Sequence, residues 1–243
     1  MVFTAPAWVP QMPPLPDVPL CEFLFDEQYG RAPIATSLPP YVCGITGRAV
    51  TVQEQKEKIQ VLARGLADEL GWKVNEGTEF DKIVCIFALN TVCIPFPPRL
   101  ELADLVEVDI STLTWAVHRI NGATQPVSAI FNEKELAEQL RNSKAKVIFT
   151  VLPLLETSLK AAKMCSIPEK RVYICDMPGD GPSPLITLSQ LLARGGSLPP
   201  LEPMKWSPGQ SKRQVAIISH SSGTSGVPVS RLPLSLFSTM NLC

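Results

Sequence analysis

The sequence predicts an α/β fold, a largely parallel sheet with flanking helices, and three observations carry that expectation. A chain of 243 residues with 45% hydrophobic and 19% charged residues can bury an ample core and has the balance of a globular protein. From Gly77 onward, short apolar runs alternate with amphipathic helical stretches. Helices of this length between the runs argue for parallel strands joined by crossovers.

Residues 1–20 carry six prolines in a nearly charge-free stretch, which predicts an extended arm rather than a helix or strand. The first strong helix begins after Thr51, which forms a capping box with Glu54. Ile59, Leu62, Ala63, Leu66 and Leu70 recur at helical spacing, and Gly71 stops the run. Glu57, Gln60, Arg64 and Asp68 make its wet face. Strands are expected at Lys82–Ala88, Val127–Phe131, Lys146–Thr150, Arg171–Cys175 and Gln214–Ile218. Helices are expected at Thr112–Ile120, from Asn132 (a cap paired with Glu135) through Leu140, and at Leu154–Met164. Residues 176–213, with seven prolines and five glycines, read as a long irregular excursion.

Composition excludes several function classes. A net charge of -1 offers no drive toward nucleic acid or an anionic membrane. Trp72, Trp115 and Trp206 are dispersed, so no base-stacking platform forms. The longest apolar runs are under half a membrane span. Seven scattered cysteines, with no Cys-x-x-Cys pair and only His118 and His220, give no zinc-ligand spacing. Cys85 and Cys175 read as small buried hydrophobes. The expected setting is intracellular and cytoplasmic, with no secretory signal at the N-terminus.

Chemistry concentrates after the last strand, in His220-Ser221-Ser222-Gly223-Thr224-Ser225-Gly226-Val227-Pro228. Two glycines allow successive amides to converge on an anion, and four hydroxyls add donors without charge. The carboxyl end of a strand is where an open α/β sheet presents ligand-binding loops. No Gly-Lys-Ser/Thr follows, so this is not a Walker loop. On the residues alone, a phosphate cradle and a flexible Ser/Gly linker stand as equals.

The string Ser-Ser-Gly-Thr-Ser-Gly-x-Pro after an apolar strand resembles the phosphate-loop signature of adenylate-forming enzymes. Upstream, 114–122 (TWAVHRING), 135–140 (ELAEQL) and 143–148 (SKAKVI) look like fungal 4-coumarate-CoA-ligase-like sequences, so the similarity covers roughly residues 18 to 228. The resemblance implies the first part of the large domain of an acyl-CoA ligase. It also implies a two-step reaction: an aryl or fatty carboxylic acid attacks ATP to give an acyl-adenylate, and coenzyme A then takes the acyl group. Mg2+ assists the phosphates in that family. The implied phosphate-binding residues are Ser221, Ser222, Gly223, Thr224, Ser225 and Gly226.

Three departures temper what the resemblance implies. The family's lysine after the motif proline is replaced by Val229 and Ser230, and no lysine follows Lys212. Family members are more than twice this length, and residues 229–243 do not resemble their continuation. Residues 93–108, with Pro95, Pro97 and Pro98, look like an insert between Val92 and Asp109. A translated intron and a genuine surface loop both account for the insert. The domain expectation is an arm (1–20), a partial large domain (21–228) and a non-family tail (229–243).

Two functions follow: an ATP-dependent acid–thiol ligase in catalytically incomplete form, or a non-catalytic relative with weak anion binding. A sheet without its later strands is expected to leave an exposed edge and to reduce solubility. Related full-length proteins are often peroxisomal through a C-terminal tripeptide, which Asn241-Leu242-Cys243 does not match. Among other residues, His118 reads as a packing or hydrogen-bonded surface histidine. His220 stands beside the loop. Asp176 and Asp180 read as parts of an ordinary turn rather than a metal site.

Overall fold

The structure is a computed structural model, and it describes residues 16–42, 47, 49–88, 109–177, 180–219 and 232–233. The described residues begin with a short helix α1 (Leu20–Phe23) and a two-residue antiparallel pair, β1 (Tyr41–Val42) with β2 (Ala49–Val50). The long helix α2 (Val52–Leu70) follows, then β3 (Ile83–Phe87), α3 (Asp109–Arg119), β4 (Ala123–Val127), α4 (Glu133–Ser143), β5 (Val147–Thr150) and α5 (Leu155–Met164). The remaining elements are β6 (Val172–Ile174), α6 (Leu188–Gly196), β7 (Val215–Ile217) and β8 (Leu232–Pro233).

The main sheet has the order β6-β5-β3-β4-β7-β8, with the first five strands parallel and β8 antiparallel to β7. It is the expected α/β fold. Helices α2, α3 and α6 share one core with Val84, Ile86 and Phe149, while α4 and α5 cover the other face with Cys85 and Ile148. Burial on both faces explains the continuous apolar run of β3, which is buried at every residue. The two cysteines expected to be buried hydrophobes are so, Cys85 and Cys175 lying in the core.

Local signals behave as their chemistry predicts. The Thr51–Glu54 and Asn132–Glu135 capping boxes are both formed, and Gly71 ends α2 at φ 67°. Helix α3 begins at Asp109, three residues before its expected start at Thr112. The N-terminal segment is tied down where it enters the described region. The Asp17 carboxylate accepts from the backbone amides of Gly209 and Ser211, and the bonds from Ser211 hold its carboxyl below the usual range.

Two expectations are corrected. The strand expected at 127–131 lies at 123–127, and residues 128–132 turn away with Ile130 89% exposed. Polar Gln125 and Pro126 hide the strand in the sequence. Gln125 is fully buried but satisfied by α4: its amide donates to Gln139 O at 3.1 Å, and Ser143 Oγ donates to its carbonyl at 2.6 Å. Pro126 is tolerated for a topological reason. Thr124 O accepts from Ile218 N, so Thr124 faces β7; the strand period of two turns Pro126 the same way. The β4–β7 register is recorded only at Thr124↔Ile217, and the missing amide lies beyond it.

The excursion at 176–213 contains α6, which is the second correction. Thr187 and Gln190 cap it, and Leu188 and Leu191 are buried. Gly195 conceals it from a propensity reading, yet the packing requires that glycine. A Cβ on Gly195 would stand 2.0 Å from Val61 O, and one on Gly65 would stand 2.1 Å from Leu191 O. Backbones of α2 and α6 therefore meet with no side chain between them.

Candidate functional site

Five parallel strands bring their carboxyl ends to one edge of the sheet. The residues expected to bind phosphate, Ser221, Ser222, Gly223, Thr224, Ser225 and Gly226, lie outside the described residues, as do His220, the 93–108 insert and the arm before Pro16. What the structure does describe is the strand that delivers them. The backbone leaves the core between buried Ile218 and exposed Ser219, two positions before Ser221.

Strand β7 is held by three kinds of contact. At its start, Val215 N donates to the Glu79 carboxylate at 3.2 Å. Further along, Ile218 N donates to Thr124 O at 2.8 Å. Between these, His118 Nε2 lies 2.8 Å from Ala216 O. A carbonyl oxygen only accepts, so Nε2 carries the proton and donates. Nε2 also lies 3.5 Å from Thr124 Oγ1 on the neighbouring strand.

The expectation of a packing or hydrogen-bonded histidine holds for His118, and only its placement at the surface is corrected. His118 is 5% exposed, and Trp115 meets its ring edge-on at 5.5 Å and 77°. Burial pushes its pKa down to about 4 against the opposing effect of the Ala216 hydrogen bond, so the ring is neutral near pH 7. Its Nδ1 is buried without a partner among the described residues. Sequence reasoning missed both this bond and the Glu79 contact. The available signal was that His118 directly follows Ala116 and Val117, which are buried in the same helix as Leu113, with Ile120 buried just beyond its end.

Elsewhere along the carboxyl edge the polar groups are occupied structurally. Ser158 Oγ donates to Thr150 Oγ1 at 2.9 Å. Asp180 accepts from Met177 N at 2.8 Å, a contact within the turn expected there, and Asp176 accepts from Ser189 N at 2.9 Å in the first turn of α6, a contact not expected of it. Among the described residues, no group of three or more His, Cys, Asp or Glu side chains could hold a metal ion.

A cavity of about 100 Å³ lies beside α1 and the C-terminal end of α3, lined by residues that include Cys21, Glu22, Asp26, Lys56 and Arg119. Its two cations face two carboxylates, so it offers no net field for an anion. Burial raises the Cys21 thiol to about 12, which leaves little thiolate for nucleophilic chemistry. Among the described residues, no helix is long and apolar enough to cross a membrane.

Comparison with known proteins supplies the context for this edge. No family model matches the chain. The chain is 35% identical over 234 residues to acyl-CoA ligase easD of Emericella nidulans, covering 93% of this chain and 39% of that relative. It is 35% identical over 237 residues to acyl-CoA ligase cm3C of Cordyceps militaris, covering 93% of this chain and 36% of the relative. The chain thus spans less than two-fifths of the length of these relatives. Its fold is similar to that of a red-emitting luciferase from Phrixothrix hirtus, with a TM-score of 0.62 at 18% identity over 87% of this chain and 35% of the luciferase.

Proposed function

The chain belongs to the adenylate-forming superfamily, among the fungal-type acyl-CoA ligases, and from that premise we propose that residues 221–226 bind the β- and γ-phosphates of ATP in an acid–thiol ligase. The observation that carries this reading is the path of β7. It runs parallel with its neighbour β4, and Ser219 emerges exposed at the carboxyl edge two residues before Ser221. The hydroxyls of Ser221, Ser222, Thr224 and Ser225 would donate to phosphate oxygens, while Gly223 and Gly226 would let the backbone amides turn inward.

In the proposed reaction a carboxylate oxygen of an aryl or fatty acid attacks the α-phosphorus of ATP. The bond to pyrophosphate breaks, giving an acyl-adenylate. The thiol of coenzyme A then attacks the acyl carbon, AMP leaves with the bonding electrons, and the thiol proton passes to solvent. The first barrier is the approach of two anions, so hydrogen bonds to the phosphates and correct placement carry much of the catalysis. Mg2+ bound to the nucleotide would supply further charge neutralisation.

The 243 residues are proposed to hold the nucleotide phosphates without completing this sequence by themselves, because they span only 36–39% of the ligases they match. We take 21–228 as part of one large domain, with 93–108 inserted and 229–243 outside the family pattern. Pyrophosphate release from ATP, measured with a panel of aryl and fatty acids, tests the proposal. The expected result is no release by the 243-residue chain, and release would contradict catalytic incompleteness. One observation favours a second reading, a non-catalytic protein with weak anion binding: Val229 and Ser230 stand where the resemblance leads one to expect a lysine.

A further inference from the structure

The structure assigns a positioning role to His118: we propose that its hydrogen bond to Ala216 fixes the register and depth of β7, the strand that leads to the residues proposed to bind phosphate. The consequence for ATP rests on the phosphate-loop reading above; the anchoring of β7 does not.

The argument begins with how lightly β7 is paired along its β4 side. The register of β3 with β4 runs from Ile83↔Ala123 to Phe87↔Val127, whereas among the described residues β4 and β7 pair at Thr124↔Ile217 alone. A short ladder specifies register weakly, and a slip of one residue would exchange the two faces of the strand. Ala216, buried at 5% exposure, would then turn to the opposite face, and its carbonyl would leave His118. The His118 bond comes from outside the sheet and binds one particular carbonyl at 2.8 Å, so it distinguishes the native register from its neighbours.

The imidazole itself is held from three sides. It occupies the last turn of α3, whose Leu113, Ala116 and Val117 are buried at 0% exposure, as is Ile120 directly after the helix. The Trp115 ring packs edge-on against it, and Trp115 in turn meets Phe25 edge-on at 6.1 Å and 79°. Thr124 Oγ1 lies 3.5 Å from the same Nε2. A donor so confined transmits the position of α3 to β7.

The cost of the arrangement also argues for a task. A residue chosen for packing alone at this position would be aliphatic, whereas His118 buries a polar ring and leaves Nδ1 without a partner among the described residues. Such a group costs on the order of 1–3 kcal/mol. Departures from local packing rules concentrate where a structure is shaped for function.

The test compares the 243-residue chain with His118→Gln, which keeps an N–H donor, and His118→Phe, which keeps ring volume and the contact with Trp115 but has no donor. Hydrogen exchange is followed for the peptide covering 215–219 and for β3, alongside the melting temperature and ATP affinity. In His118→Phe, exchange in 215–219 is expected to rise roughly five- to tenfold while β3 is unchanged, and ATP affinity to fall by a similar factor. His118→Gln is expected to restore both. Unchanged exchange in His118→Phe, or failure of glutamine to restore it, would overturn the proposal.

Nitrogen-15 NMR of the wild-type imidazole needs no variant and decides the matter if His118→Phe does not fold. A slowly exchanging proton on Nε2 is expected, and a proton on Nδ1 would overturn the assignment. If the wild-type chain binds no ATP while the exchange pattern behaves as described, the phosphate-loop reading fails and the anchoring of β7 stands.

Discussion

A neutral imidazole in a core links folding to protons. The pKa of His118 is about 4 in the folded chain against a reference of 6.5, because burial disfavours the charged ring. Between those values the unfolded chain holds a proton that the folded chain does not. The contribution is therefore fully present above pH 6.5 and is lost as pH falls toward 4, a loss on the order of 3 kcal/mol. Urea unfolding at pH 7, 5.5 and 4.5 should show this decline, with a flatter dependence in His118→Gln; equal slopes in the two proteins would contradict it. The sequence places His118 on a helix beside Trp115 and Arg119, but its burial depends on a strand 98 residues away in the chain. Lys82 is hidden for the same reason. Its ammonium is buried and donates to Lys73 O, Val74 O and Ile120 O, tying segments after α2 and α3 together at the amino edge of β3. Desolvation pulls its pKa down. A single lysine before an apolar run carries no local mark of that role.

Between elements, the tightest contact is the crossing of α2 and α6. Gly65→Ala or Gly195→Ala would force a methyl group to about 2 Å from a backbone carbonyl, which no rotamer change can relieve. Each substitution is expected to destabilise the chain by about 1–3 kcal/mol or more, measured as a fall in urea midpoint with an unchanged slope. Ordinarily, replacing a helical glycine by alanine stabilises, so an increase in midpoint would contradict the close approach. This contact also explains why α6 is hard to read: Gly195, which the crossing demands, argues locally against a helix. Helices α2 and α4 were legible because their capping boxes and apolar stripes agree. Strand β4 was displaced in the reading because Gln125 and Pro126 are satisfied by α4 and by a gap in the ladder, neither of which is local information. The parallel sheet itself was legible from the alternation of apolar runs and helices.

At the scale of the whole molecule, the expected bare edges are each covered in part. Leu232 and Pro233 pair with β7, and on the far side Ile174 bridges Thr187 and donates its amide to Ile186 O. These short pairings reduce the unpaired backbone that a sheet edge presents. The motif proposed to bind phosphate stands out in the sequence but lies outside the described residues; the strand that leads to it reaches the edge where such loops act, as far as Ser219. The central claim is that this edge holds the phosphates of ATP. Isothermal titration of the 243-residue chain with ATP and Mg2+ tests it most directly, beside a Thr224→Val, Ser225→Ala variant that removes two hydroxyls. The account predicts saturable binding by the wild-type chain, weakened roughly tenfold or more in the variant. No binding by the wild-type chain, or equal binding by the two, would contradict it.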